Sequence, residues 1–327
     1  MGNSRAVSRL KTLYQRQQNP SWDASYVPGI LATPKEAPSI SRAYTLTPSK
    51  LAGREVHLLS TAERDAALLG LYHPAIIGLQ EQRMLSPGPT THPLWTFPNI
   101  DRSALPPLKG VIDVAERLNV LDVLPRIVVP HPERTGERMP LIYPWCGDLL
   151  WAIVRPDGRT DCINWSIKDK RQNFMRPGPT RFGKLRPSDF IRKVLARHEV
   201  EAAYYANANI RTVQIAGEEI DSHVAANLRQ LFLHHRRQLF ITDNQRAEIL
   251  HRFQSALAHG ITPAEVITVL AERGRYSVDQ CRSAFYQAIW ENKLKVDLFQ
   301  PILINCPMRP EIEDVTVKYA KWFDVTP

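Results

Sequence analysis

IYPWCGDLLWAIVRPDGRTDCINWSIKDK, residues 142–170, holds two strand-like runs, GDLLWAIV and DCINWSIK, on either side of the turn signal Pro156-Asp157-Gly158-Arg159. A strand, a tight turn and a returning strand place the start of the first run beside the end of the second. Asp148 opens the first run and Lys168 closes the second, so the turn predicts an acid and a lysine side by side. Ser166 lies two residues before Lys168 and therefore faces the same side of the strand.

Working outward, FGKLRPSDFIRKVLARHEVEAAYYANANI becomes a helix from Pro187, with Phe190, Val194 and Leu195 on one side. RTVQIAG (211–217) reads as a strand and EEIDSHVAANLRQLFLH (218–234) as a helix. Upstream, SRAYTLTPSKLAGREVHLLS (41–60) predicts a β-hairpin turning at Pro-Ser-Lys-Leu-Ala-Gly. Ser60 then caps a helix, with Glu63 at the third position as a capping box requires, and HPAIIGLQEQRML (73–85) follows as a strand. Hairpin, helix, strand, antiparallel pair, helix, strand and helix call for an α/β fold, a mixed sheet with helices on its faces.

This domain is expected over residues 41–240. Residues 1–40, with Pro20, Pro28, Pro34 and Pro38, are expected as an irregular arm. Residues 86–140 are proline-rich and read as an insertion with a short helix at LKGVIDVAERLNV. Beyond residue 240, NQRAEILHRFQSALAHG, ITPAEVITVLAERG and SVDQCRSAFYQAIWENK predict three helices. Gly260 stops the first, Thr262 with Glu265 caps the second, and Ser277 caps the third. KLKVDLF and PILIN then resemble a wing hairpin, so residues 241–310 have the order of an α+β winged helix-turn-helix, with 311–327 as a tail. The third helix carries only Arg282 and Lys293 as basic residues, and Phe285, Ile289 and Trp290 read as its core. That composition favours protein docking over base reading.

The chain has 327 residues, 43% of them apolar, and 42 Lys and Arg against 33 Asp and Glu give a formal charge of +9. The excess suits a nucleic-acid partner. No run approaches the ~20 apolar residues of a membrane span. The N-terminal MGNSRAVSRLKTLYQRQQNP is polar and basic without a signal peptide's apolar centre, and four scattered cysteines have no metal-ligand spacing. A reduced, cytoplasmic protein is the expectation. The ten histidines form no zinc-binding array.

Asp148 on one strand, Lys168 on the next and Glu63 on the first helix form a candidate metal-dependent nuclease constellation. Hard oxygen ligands suit Mg²⁺, with Mn²⁺ as a substitute. Lys168 orients or helps deprotonate the attacking water, or offsets charge on the phosphate. Ser166 stands where a carboxylate or amide is usual in D-x(n)-(E/Q)-x-K sites. It can hold a metal-bound water, or the Ile167 carbonyl can be the ligand. The bland alternatives are an edge strand begun by Asp148 and blunted by Lys168, and Glu63 as a simple helix cap. Ten basic residues run from Lys168 to Arg197, both included, opposed only by Asp169 and Asp189. Among them Lys170, Arg171, Arg176, Arg181, Lys184 and Arg186 predict a basic loop contacting phosphates.

The hairpin–helix segment SRAYTLTPSKLAGREVHLLSTAERDAALL, HPAIIGLQEQRML, GDLLWAIV with the following SIK, and the helix around Glu199, Glu201, Tyr204 and Tyr205 resemble the TnsA family, endonuclease subunits of heteromeric transposases. The likeness covers most of residues 40–305 and is poor over 86–140. It implies a restriction-endonuclease-like fold and Mg²⁺-dependent cleavage at the 5′ ends of a transposon. It also implies Glu63, Asp148 and Lys168 as the catalytic glutamate, aspartate and lysine. Implied partners are transposon-end DNA, a DDE-type (TnsB-like) transposase subunit and an AAA+ (TnsC-like) ATPase regulator that contacts the C-terminal domain. Glu199 and Glu201, two apart on a helix, cannot both face the site. Glu201 is a candidate support for the metal shell, against the plainer reading of a solvated helix face. A stand-alone restriction or repair endonuclease and a catalytically inactive DNA-binding adaptor are the competing functions.

Overall fold

The computed structural model describes residues 2–39, 42–131, 133–176, 187–272 and 274–326. The chain divides into two units, one of residues 1–64, 75–218 and 324–327, the other of 65–74 and 219–323.

The first unit contains α1 (Gly2–Gln17), the hairpin β1 (Tyr44–Leu46) and β2 (Val56–Leu58), and the start of α2 (Thr61–Tyr72). It continues through β3 (Ile76–Glu81), α3 (Val111–Arg117), β4 (Arg126–Pro130) and β5 (Arg138–Ile142). Next come β6 (Leu149–Val154), β7 (Thr160–Lys168), α4 (Gln172–Met175), α5 (Ser188–Ala206) and β8 (Arg211–Ala216). Its main sheet runs β3-β6-β7-β8. The first two pairings are antiparallel and the last is parallel, so the sheet is mixed. The β6–β7 connection is the predicted turn: Gly158 adopts φ +84°, the left-handed backbone that a side chain disfavours. β6 and β7 lie inside the sheet, buried on both faces, which is why LLWAI and CINWSI are apolar almost throughout. Trp151 and Trp165 meet edge to face, centroids 5.3 Å apart. Since neither strand is an edge, Lys168 is not a device that protects one.

Two expectations for this unit are corrected. Residues 1–40 are not an irregular arm throughout, because α1 occupies Gly2–Gln17. The prolines begin at residue 20, and Leu10, Leu13 and Gln17 recur at helical spacing to form a buried stripe. The proline-rich 86–140 segment is not peripheral. Leu94, Leu108, Val111, Val114 and Leu124 share a core with Leu150, Tyr204 and Tyr205. Its β4–β5 hairpin went unpredicted because β4 alternates exposed and half-buried residues around only two or three apolar ones.

The second unit takes in residues 65–74 and then, from residue 219 and so ahead of the boundary expected at 241, α6 (Ser222–Phe232), α7 (Asp243–His259), α8 (Pro263–Glu272) and α9 (Val278–Trp290). Thr242 and Ser277 close capping boxes with Gln245 and Gln280, and Gly260 ends α7 in the left-handed conformation. Thr262 and Glu265 pair in the same reciprocal way ahead of α8. Phe253 and Phe285 pack 4.8 Å apart between α7 and α9.

The wing hairpin is not formed: KLKVDLF and PILIN contain no paired strands, and Val296 bridges Pro310 instead. Asn227 of α6 takes the backbone that a hairpin would use. Its amide donates to the carbonyls of Leu298 and Gln300, both at 2.8 Å, and its oxygen accepts from Ile302 N at 3.2 Å. Residues 311–327 are also more than a tail, since α10 (Val315–Lys318) and α11 (Ala320–Phe323) bury Val315, Tyr319, Trp322 and Phe323. Among the described residues, no helix is long and apolar enough to cross a membrane.

Candidate active site

Antiparallel pairing of β6 and β7 sets Leu149 opposite Trp165, so continuing the register puts Asp148 across from Ser166. Asp148 Oδ2 accepts from Ile167 N at 2.6 Å, which fixes the carboxylate at the mouth of the strand pair. Lys168, at the end of β7, donates from Nζ to the Ile167 carbonyl at 3.0 Å and lies 5.9 Å from the centre of the Phe174 ring.

Glu63 arrives from the start of α2. Its amide donates to Ser60 Oγ at 3.1 Å, the expected half of the capping box. The reciprocal bond is displaced by one residue, with Oε2 accepting from Leu59 N at 2.8 Å. Glu63 is also more than a cap, because Gln82 Nε2 donates to the same Oε2 at 3.0 Å. Glu63, Asp148, Ile167 and Lys168 line one cleft of about 690 Å³. Its rim includes Arg9 and Arg16 of α1, and Arg197 of α5.

Gln82 carried no signal in the sequence, where it reads as one more strand residue. β3 ends at Glu81, and Gln82 turns out of it with φ +48°, a backbone conformation uncommon outside glycine. That turn lets its amide N–H donate to the Asp148 carbonyl at 3.0 Å while its side chain reaches Glu63. One residue thus ties both acids of the cleft together.

Behind the cleft lies a second polar group. Glu201, only 2% exposed, accepts from Asn164 Nδ2 at 3.1 Å and from Ser166 Oγ at 3.5 Å. A solvated helix face is therefore ruled out for Glu201, whereas Glu199 is exposed. Ser166 is buried against Glu201 rather than lining the cleft. Strand alternation correctly puts Asn164, Ser166 and Lys168 on one face, but that face runs beneath α5 before it reaches the cleft.

The electrostatics follow from two acids buried near a third. Burial, then the charge of Asp148, pushes the Glu63 carboxyl up to about 8, against the hydrogen bonds from Leu59 and Ser60 and the charge of Lys168. Glu201 is raised for the same reasons, burial first and Asp148 next, with Arg197, Asn164 and Lys168 pulling it back. Burial, aided by Lys168 and Arg197, holds His198 down to about 4, so it is neutral at pH 7. The cleft sets the Glu63 and Asp148 carboxyls beside the Lys168 ammonium, with Arg9, Arg16 and Arg197 also in its lining. Among the described residues, no three His, Cys, Asp or Glu side chains form a metal cage by themselves. The donors that converge are two carboxylates and a main-chain carbonyl, all hard oxygens. Mg²⁺ suits such a set because it retains waters and completes its shell with substrate oxygens.

Of the residues expected to meet phosphates, Lys170, Arg171 and Arg176 are exposed just beyond β7. The Arg171 guanidinium donates to the Gln214 carbonyl at 2.9 Å, so it is partly committed to the fold. Arg181, Lys184 and Arg186 lie outside the described residues. In the second unit α9 buries every residue from Ser283 to Trp290, and Arg282 and Lys293 pair with Asp279 and Glu291. The chain matches no protein-family model and no curated protein sequence.

Proposed function

We propose that this chain is a divalent-cation-dependent DNA endonuclease whose first unit has a restriction-endonuclease-like fold. The observation that carries this reading is the convergence of Glu63, Asp148, the Ile167 carbonyl and Lys168 on one cleft. Glu63, Asp148 and the Ile167 carbonyl would hold Mg²⁺, or Mn²⁺ in its place. When bound, the cation polarises a phosphodiester and makes a water more acidic. The protein's own part is largely orientation. Ile167 N holds Asp148, Gln82 holds Glu63, and Lys168 stands where its ammonium can offset charge growing on a phosphate. Glu201 supplies, from α5, the carboxylate that the S-x-K segment lacks at Ser166, and acts through its hold on that segment.

The resemblance to TnsA extends the proposal. The chain would be the subunit that cuts the 5′ ends of a transposon, working with a DDE-type transposase and an AAA+ regulator. The helices α7, α8 and α9 follow the helix-turn-helix order, but without a wing. An α9 buried along its second half, with Arg282 and the following Lys293 both paired, favours protein docking by this unit over base reading. The test is strand-specific cleavage of end-labelled transposon-end duplex in Mg²⁺, with and without the transposase. Cutting at the 5′ end only with the transposase supports the proposal. Cutting by the chain alone makes it a stand-alone nuclease, and no cutting under either condition leaves a DNA-binding adaptor.

A further inference from the structure

We infer that α1 is a clamp for the phosphodiester backbone of duplex DNA, laid along the rim of the cleft that holds Glu63 and Asp148. The inference rests on the nuclease reading of that cleft and names a surface which that reading does not require. α1 carries Arg5, Arg9, Lys11 and Arg16 and no acid at all. Arg16 is neutralised, its guanidinium spanning both oxygens of Glu36 at 2.7 and 2.9 Å. Arg5, Arg9 and Lys11 are exposed and form no ion pair with any described residue. Arg9 donates only to the Lys35 carbonyl, at 3.2 Å.

This charge pattern works against the helix that bears it. Cations in the first half oppose the helix dipole, and Arg5 and Arg9, four apart, repel one another. Neither is needed for anchoring. Leu10 and Leu13 are buried, and Gln17 donates to the Val27 carbonyl at 2.6 Å and accepts from Met84 N at 3.1 Å. A bound polyanion would turn the liability into attraction.

The flanks of the helix fit that ligand. On one side Ser8, Arg9 and Thr12 line the cleft together with Asp148 and Lys168. On the other, Ser4, Ser8 and Lys11 line a second groove with Arg138 of the β4–β5 hairpin. Hydroxyls interleaved with Arg and Lys are the usual phosphate contacts. A 16-residue helix spans about 24 Å, which matches roughly seven phosphates of one strand at about 3.4 Å each. Acids on the floor and cations on the rim would draw a phosphodiester to the cleft edge and leave the floor for a cation.

The test compares the full-length chain with its Arg5→Gln/Arg9→Gln/Lys11→Gln variant in titrations of a duplex over several salt concentrations. Three lost phosphate contacts should lower the slope of log K against log salt by about 2.7 and weaken binding on the order of tenfold or more, on specific and unrelated duplexes alike. Mn²⁺ binding, followed by calorimetry without DNA, should be unchanged, and Arg5→Lys/Arg9→Lys should keep the wild-type slope. An unchanged slope in a folded variant overturns the clamp. So does a variant that loses binding to polyglutamate but not to DNA, because α1 would then recognise an acidic protein segment. Loss of cleavage and Mn²⁺ binding in Asp148→Ala tests the nuclease reading separately. If the variant's salt slope falls but the wild-type chain never cuts DNA, the clamp is retained and the nuclease reading is discarded.

Discussion

Glu201 Oε2 lies 3.5 Å from the Ser166 hydroxyl, which brings a helix carboxylate to the strand position two residues before Lys168. Asn164, two residues earlier on the same face, holds the other carboxylate oxygen at 3.1 Å. The serine is therefore a partner for an acid that comes from another element.

This relationship predicts opposite outcomes for two substitutions at one position. Ser166→Ala removes one long hydrogen bond while Asn164 keeps Glu201 in place, so stability should change by no more than about 1 kcal/mol and turnover should fall only in part. Ser166→Glu sets a second buried carboxylate against Glu201 and should destabilise by about 3 kcal/mol or more. Adding Glu201→Gln to Ser166→Glu should recover most of that loss. Urea denaturation of the three variants measures this, and a Ser166→Glu protein as stable as wild type would remove Ser166 from contact with Glu201.

Asp148→Ala should abolish cleavage, at least about 10³-fold, and leave folding and partner association intact. The carboxylate is half-buried, and among the described residues its side chain's one hydrogen bond is from Ile167 N. A cleavage assay beside a pull-down decides, and undiminished cleavage would dismiss the site.

The raised Glu63 carboxyl makes stability depend on pH. A group whose folded value, about 8, exceeds its ordinary 4.5 stabilises fully below the ordinary value, and that contribution is lost as pH rises through 8. Glu201 acts in the same direction. The metal-free protein should therefore lose several degrees of Tm between about pH 5 and pH 8. Mg²⁺, which favours the ionised acids, should restore more Tm at pH 8 than at pH 6. Glu63→Gln should flatten both responses in thermal melts. A Mg²⁺ effect that does not vary with pH would contradict the placement of Glu63 beside the cation.

Asn227→Ala should loosen the second unit. It strands two backbone carbonyls and one N–H that the side chain now satisfies, at a cost of about 2–4 kcal/mol. Hydrogen exchange should rise over residues 298–302 while the first unit's sheet keeps its protection.

The basic residues expected to meet phosphates make a prediction separate from α1. Charge reversal at Arg181, Lys184 and Arg186 should weaken DNA binding across sequences and lower its salt slope. An unchanged slope would assign those residues another role.

Local chemistry alone determined the elements around the site. The Pro156-Asp157-Gly158-Arg159 turn joins two apolar runs, and such a turn leaves little freedom in which strand ends meet, so Asp148 and Lys168 were legible as neighbours. Ser60 and Glu63 wrote the start of α2 for the same reason, since capping acts within three residues. Tertiary structure decided everything that depends on chain segments far apart. The role of Glu201 was hidden because burial by a sheet face is not encoded in the helix's own spacing. The positive φ of Gln82 is imposed by the segments on which its amide and side chain converge. Asn227 captured a segment whose pattern suits a wing, because three buried hydrogen bonds outweigh a marginal two-stranded ribbon. The prolines from residue 20 onward predict an irregular arm because proline is a strong local signal, whereas α1 is held by a buried stripe that only packing reveals.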